Sequence, residues 1–209
     1  MDNVTNITGT LYIVSAPSGA GKTSLVSALI KTLTNIQVSI SHTTRVKREG
    51  EQEDVDYHFV THAEFKELIS QNVFLEHAKV FDHFYGTSKQ WVQEARRLGK
   101  DVILEIDWQG ARQVRSHFAD VQSIFICPPS NEALIERLQK RHPDNPDLVA
   151  ERMREAREQI SHYNEYDFLI CNDKFEAALE DMLNIILGHR LRIKRQSIAL
   201  GPIIQRLLD

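Results

Sequence analysis

The stretch YIVSAPSGAGKTSLVSALI, residues 12–30, sets Pro17, Gly19, Ala20 and Gly21 between two apolar runs and follows them with Lys22 and Thr23. A segment so poor in side chains lets another molecule approach its backbone. A Walker-type loop needs glycines for tight turns, inward backbone N–H groups, a lysine for the outer phosphates and a hydroxyl for Mg²⁺. APSGAGKT, residues 16–23, has all of these except the first glycine, which is Ala16. That replacement implies a backbone needing no positive φ at this residue. The apolar residues 11–14 read as the preceding strand. A helix beginning at about residue 22 would bring its positive N-terminal end beneath a bound phosphate. The loop formed by Ser15, Ala16, Pro17, Ser18, Gly19, Ala20, Gly21, Lys22 and Thr23 is expected to hold the phosphates of a nucleoside triphosphate.

The remainder of the chain limits what such a loop serves. Its 209 residues suffice for one good core, and 42% hydrophobic with 26% charged residues is ordinary for a globular chain. A net charge of −4 provides no global basic field for coating nucleic acid. RVKR (45–48) remains a local anion site, whereas RLRIKR (190–195) reads as the solvated face of a helix. Cys127 and Cys171 each end an apolar run and read as buried, inert thiols of a reducing compartment. The start, MDNVTNITGT, lacks the basic and apolar regions of a signal peptide, and no apolar stretch reaches membrane-spanning length. The Asn-x-Thr triplets at Asn3 and Asn6 then read as chance, and the expected location is cytoplasmic, with no membrane partner.

Apolar runs at 11–14, 36–40, 102–106, 123–127 and 167–171 alternate with helical spacings such as Leu25, Leu29 and Leu33, or Val149, Met153, Ala156 and Ile160. Strand alternating with helix predicts an α/β fold with a mainly parallel five-stranded sheet flanked by helices. Two regions break the rhythm. Residues 41–86 are polar, charged and aromatic, and read as a mixed α/β insertion. Residues 135–163 form two charged helices around the breaker HPDNP, as a helical lid would. One domain over 1–209 is expected, its core being 8–40, 87–134 and 164–209.

The loop alone does not choose between switches, motors and kinases. Ser41, Arg45 and Arg48 precede Tyr57, and two arginines with a tyrosine hydroxyl can surround one phosphate. Glu76, Tyr85 and Thr87 follow on a strand, a turn and a helix start, and Glu105 and Asp107 read as one face of a strand at its carboxyl end. None of the histidines shows metal-ligand spacing.

SAPSGAGKTSL, SHTTR, DYHFV, FLEHA, YGTS, IDWQGA, PPS and CND, in this order, resemble the guanylate kinase family over nearly the whole chain. The resemblance implies a P-loop nucleoside monophosphate kinase fold, with ATP as co-substrate, Mg²⁺, and GMP as acceptor. It implies that Arg45, Arg48, Tyr57 and Tyr85 grip the GMP phosphate, while Glu76, Ser41, Thr87 and Asp107 read the base. The chemistry agrees. Guanine offers two adjacent N–H donors to a carboxylate, and adenine would leave that carboxylate unpaired, a difference worth ~10⁴-fold. Mg²⁺ would be held through Thr23 and, by water, Glu105, where the family usually has aspartate. Arg137, Arg141 and Arg152 match the lid arginines that close on the ATP phosphates, with QKRHPDNP where the family often has glycines. Asn172 is either an adenine contact or part of a strand-end turn. Guanylate-kinase-like scaffolds, and kinases of this fold acting on another phosphate ester, are the alternatives. The C-terminal RLRIKRQSIALGPIIQRLLD packs either on the core or on another subunit of a homo-oligomer.

Overall fold

The computed structural model describes residues 7–80 and 82–209; Asn3 and Asn6 lie outside them. Strand β1, Leu11–Ser15, is buried at every position because it is central in a five-stranded sheet covered on both faces. The other strands are β2 (Ile36–Val38), β7 (Asp101–Glu105), β8 (Gln122–Cys127) and β9 (Phe168–Cys171), in the order β2-β7-β1-β8-β9, all parallel. Tyr12 and Val14 face helices α1 (Lys22–Thr32) and α7 (Phe175–Arg190), meeting Leu25, Leu29, Met182 and Ile186. Leu11 and Ile13 face the other way, in a cluster with Val92 and Ala95 of α3 (Lys89–Arg97) and Ala111 and Val114 of α4 (Trp108–His117). The alternation along β1 thus supplies both halves of the core. Its carboxyl end lies where connections leave to opposite sides of the sheet, the usual ligand crevice of such folds.

The insertion carries its own sheet, β4-β3-β6-β5, from β3 (Ser41–Thr43), β4 (Tyr57–Phe59), β5 (Phe74–Val80) and β6 (His83–Ser88). Helix α2, His62–Ser70, starts with a capping box in which Thr61 and Glu64 satisfy each other's backbone N–H groups. It drops fully buried Phe65 between Phe74 and Phe84, with ring centroids 4.6 and 5.4 Å away. Tyr85 and Thr87, expected on a turn and a helix start, both belong to β6, and Ser88 caps α3. Strand β6 crosses the boundary expected at residue 86.

Helices α5 (Asn131–Arg141) and α6 (Pro146–Ser161) form a pair around Leu134, Leu138, Val149, Met153 and Ala156. Asn145 caps α6 and Pro146 opens it, so HPDNP is the break between them; α5 begins before the boundary expected at 135. Helix α8, Ile193–Leu208, has no buried residue. Its Arg195 ties it to the core, lying 2.8 Å from one oxygen of fully buried Asp101, while Arg190 at the end of α7 lies 2.8 Å from the other. These two arginines are therefore not the solvated helix face the sequence suggests. Among the described residues no helix is long and apolar enough to cross a membrane.

Candidate active site

The phosphate loop joins β1 to α1. Gly19 and Gly21 both adopt φ 91°, which a side chain would strain, while Ala16 is not among the residues with positive φ. Gly21 occupies the N-cap of α1 without any side-chain cap, so the first-turn N–H groups face the loop without a cap, as an anion site requires. Lys22 and Thr23 start that turn, and Thr23 is exposed. Ser15 is buried, and its hydroxyl donates to Ile106 O at 2.6 Å, tying β1 to the segment after β7. Its side chain thus serves the fold rather than the nucleotide. Leu134 and Leu138 of α5 close on Gly19, leaving little room for a side chain there.

Asn172 stands just past the end of β9 with its side chain turned onto the phosphate loop. It is 5% exposed, and its side-chain amide donates to Ala20 O at 2.7 Å. A Cβ on Gly21 would collide with the same amide. Its backbone N–H donates to Cys127 O at 2.8 Å, and its carbonyl accepts Arg137 Nη2 at 3.0 Å. Helix α5, the end of β9 and the loop therefore meet at this one residue.

The insertion contributes a second group of the expected site residues. Glu76 on β5 is 3% exposed and is the register partner of Thr87 on β6. Burial pushes its carboxyl up to about 7; Thr87 lowers it and Asp107 raises it further. Glu76 packs so closely on Gly110 of α4 that any side chain there would strike its Oε2. Asp107 is not on the strand with Glu105, as the sequence suggests. It is the N-cap of α4, accepting from the N–H groups of Gln109 and Gly110 at 3.1 Å.

Ser41 and Tyr57 are register partners on β3 and β4, and the Tyr57 ring centroid lies 6.0 Å from that of Tyr85. Arg45 sits 5.2 Å over the Tyr57 ring and is held by Glu51, with Nη2 2.7 Å and Nη1 3.0 Å from the carboxylate. Glu51 also accepts the backbone N–H of Arg48 at 2.9 Å, while the Arg48 side chain is exposed. Burial, then Tyr85, then Glu105, raise the Tyr57 hydroxyl, so Tyr57 lies within electrostatic reach of the core carboxylate.

Glu105 ends β7 beside β1, and its Oε1 is buried with no hydrogen-bond partner among the described residues. From the helix pair, Arg137 Nη1 is likewise buried and unpartnered. Arg152 lies 3.6 Å from Glu155 and is influenced by Arg48 and Tyr85. Arg141 is exposed at the end of α5 and acts on His142 together with Arg152 and Arg48. Tyr57 of the insertion is thus within electrostatic reach of Glu105 on the core, and Arg48 and Tyr85 within reach of Arg152 on the helix pair. Sequence reasoning misses Glu51 and Gly110. The first sits three residues after Arg48, and the second is a glycine inside a helix, where a packing reason is the usual explanation. Also unforeseen, Glu53, Asp54 and His58 bring ligand atoms within 4.8 Å of one another on the insertion's exposed side.

The sequence model of the family described as guanylate kinase matches residues 8–188. The chain belongs to the guanylate kinase family. It is 56% identical to a guanylate kinase of Saccharophagus degradans over 97% of this chain and 98% of that protein. Identity to the guanylate kinase of Chromohalobacter salexigens is 54%, over 96% and 94%. The crystal structure of guanylate kinase from Anaplasma phagocytophilum superposes with a TM-score of 0.77 at 33% identity, covering 91% of this chain and 90% of that one. Family membership extends over the loop, the insertion and the helix pair, all within the matched residues.

Proposed function

We propose that the chain transfers the γ-phosphate of ATP to GMP, giving ADP and GDP in the cytoplasm, with the residues above in the following roles. The observation that carries this reading is Glu76: a buried carboxylate, paired in register with Thr87, at the junction of insertion and core. Ionised, it accepts the two adjacent N–H donors of guanine, and Thr87 and Ser41 complete the edge. Deoxyguanylate presents the same edge and should also be accepted. Asp107 acts on Glu76 and, by capping α4, fixes Gly110 beneath it. Tyr57, Tyr85, Arg45 and Arg48 hold the GMP phosphate, with Glu51 fixing the Arg45 guanidinium before substrate arrives. That pre-orientation removes part of the ordering cost of binding.

Residues Ser15 to Thr23 cradle the ATP phosphates, with Lys22 on the outer pair. The unpartnered Glu105 Oε1 and the exposed Thr23 hydroxyl fit Mg²⁺, Thr23 directly and Glu105 through water. When bound, the ion supplies positive charge against the outer phosphates. Arg137, with its free Nη1, and Arg152 neutralise charge on the moving phosphoryl group, and Arg141 joins them as the helix pair closes. Phosphoryl transfer needs little covalent help, so alignment and water exclusion supply most of the rate. The insertion 41–86 and the lid 135–163 are proposed to move inward on binding both nucleotides. A coupled ADP assay with GMP, dGMP, AMP and UMP as acceptors tests the reading. Turnover with the guanine nucleotides alone supports it, and turnover with AMP or UMP at the GMP rate rejects the role of Glu76.

A further inference from the structure

The two cysteines are not the fully buried thiols their apolar runs suggest. Cys127 ends β8, Cys171 ends β9, and the two are register partners in the parallel pair. Registered residues on neighbouring strands point to the same face and lie ~4.8 Å apart, inside the ~4.4–6.8 Å Cα separation that a disulfide spans. Because β9 is the edge strand, Cys171 is exposed together with Leu169 on the same face, while Cys127 is half-buried behind it. The two thiols sense each other: after burial, Cys171 is the main influence raising the Cys127 thiol. An accessible sulfur with a second sulfur beside it is the arrangement of an oxidisable pair.

Their position gives the pair a consequence. The carbonyl of Cys127 accepts the N–H of Asn172 at 2.8 Å, and Asn172 directly follows Cys171. The Asn172 side chain in turn holds Ala20 O of the phosphate loop at 2.7 Å, close enough to Gly21 that a side chain there would strike it. A bond sets the two sulfurs ~2.05 Å apart with a Cβ–S–S–Cβ dihedral near ~90°, and any backbone adjustment this geometry demands falls on the strand ends that the Cys127–Asn172 hydrogen bond joins. Asn172, the next residue after Cys171, is also the one that supports the loop.

We infer that Cys127 and Cys171 form a peroxide-oxidisable pair whose disulfide weakens the ATP site through Asn172. The Cys171 thiolate attacks hydrogen peroxide, the O–O bond breaks, and with one proton the products are a sulfenic acid and water. The Cys127 thiol then displaces the hydroxyl from that sulfur, forming the S–S bond and releasing a second water. Two thiols lose two electrons and the peroxide gains them. Because Cys171 is exposed on the edge strand, small thiols can reach the bond and reduce it, so the change is reversible.

The formation of the disulfide is independent of the kinase reading, whereas its effect on ATP rests on it, so the two are measured separately. The full chain is treated with hydrogen peroxide, and intact mass and peptide mapping are followed by steady-state kinetics. The expected result is loss of two hydrogens per chain, one internal Cys127–Cys171 peptide, and recovery with dithiothreitol. KM for ATP should rise by about 2- to 10-fold, the worth of one net hydrogen bond, with KM for GMP unchanged. Cys127→Ser and Cys171→Ser should each abolish the internal bond and keep the KM for ATP constant under peroxide. Disulfides only between chains, or only sulfinic acid, would overturn the pairing. An internal disulfide that leaves both KM values unchanged, or raises them equally, would overturn the route through Asn172.

Discussion

Glu76 gives the most exacting prediction, because burial holds its carboxyl at about 7 while guanine recognition needs it ionised. At about pH 6 a group of that pKa is ionised in only about one-tenth of molecules, so apparent GMP affinity should fall about tenfold relative to about pH 8. The GMP phosphate itself titrates near ~6, so the comparison must be with Glu76→Gln, which retains the phosphate's pH dependence and loses the carboxylate's. With glutamine at this position, GMP binding at about pH 8 should weaken by about 10- to 100-fold, as expected for losing a hydrogen bond to a charged group. Calorimetry in buffers of differing ionisation enthalpy reads the proton directly. At about pH 6 the wild type should release close to one more proton per GMP than Glu76→Gln does. The stability sign is opposite to that of GMP binding. A carboxyl raised from 4.5 to about 7 by folding stabilises the chain at low pH, and this contribution is lost as pH rises through 7. Glu76→Gln should therefore raise the stability of the nucleotide-free protein at about pH 8, by about 1–3 kcal/mol. Equal pH dependence of GMP binding in the two proteins, with no extra proton released by the wild type, would refute the reasoning.

Other residues give independent checks. Gly110→Ala places a methyl against Glu76 Oε2 and should cost GMP binding about 1–3 kcal/mol while sparing ATP binding, read by titrating each nucleotide separately. Glu51→Ala frees the Arg45 guanidinium from its 2.7 Å partner; KM for GMP should rise about threefold to tenfold, with a smaller rise for guanosine inhibition, since the nucleoside lacks the phosphate. Asp101→Ala strands Arg190 and Arg195 and should lower the melting temperature by about 6–20 °C while leaving KM for both nucleotides near wild type at low temperature.

The phosphate loop is legible in the sequence because its chemistry is contiguous: a strand, two glycines, a lysine and a helix within one turn of chain. The five-stranded core is legible for a related reason. Strands buried on both faces read as continuous apolar runs, and all five of the expected ones are present. What sequence obscures are partnerships across the chain. Asp101 meets Arg190 and Arg195 across 89 and 94 residues, and nothing local marks those arginines as anything but a helix face. Asn172 is marked by its motif, yet its partner is Ala20, 152 residues away. Asp107 is misplaced by sequence because β7 ends earlier than two carboxylates at alternate positions suggest, giving that side chain to a helix cap instead. The cysteines mislead because an apolar run signals a strand without saying that β9 lies at the sheet's edge, with one face open.

Phosphate passing from one bound nucleotide to the other is the central claim, and its direct measurement is chromatographic. ATP, ADP, GMP and GDP are quantified over time with Mg²⁺, with and without GMP. ADP and GDP appearing in equal amounts, with ATP untouched when GMP is absent, is the predicted result. ATP consumed without GDP, or a folded chain that binds GMP and converts neither nucleotide, would contradict it.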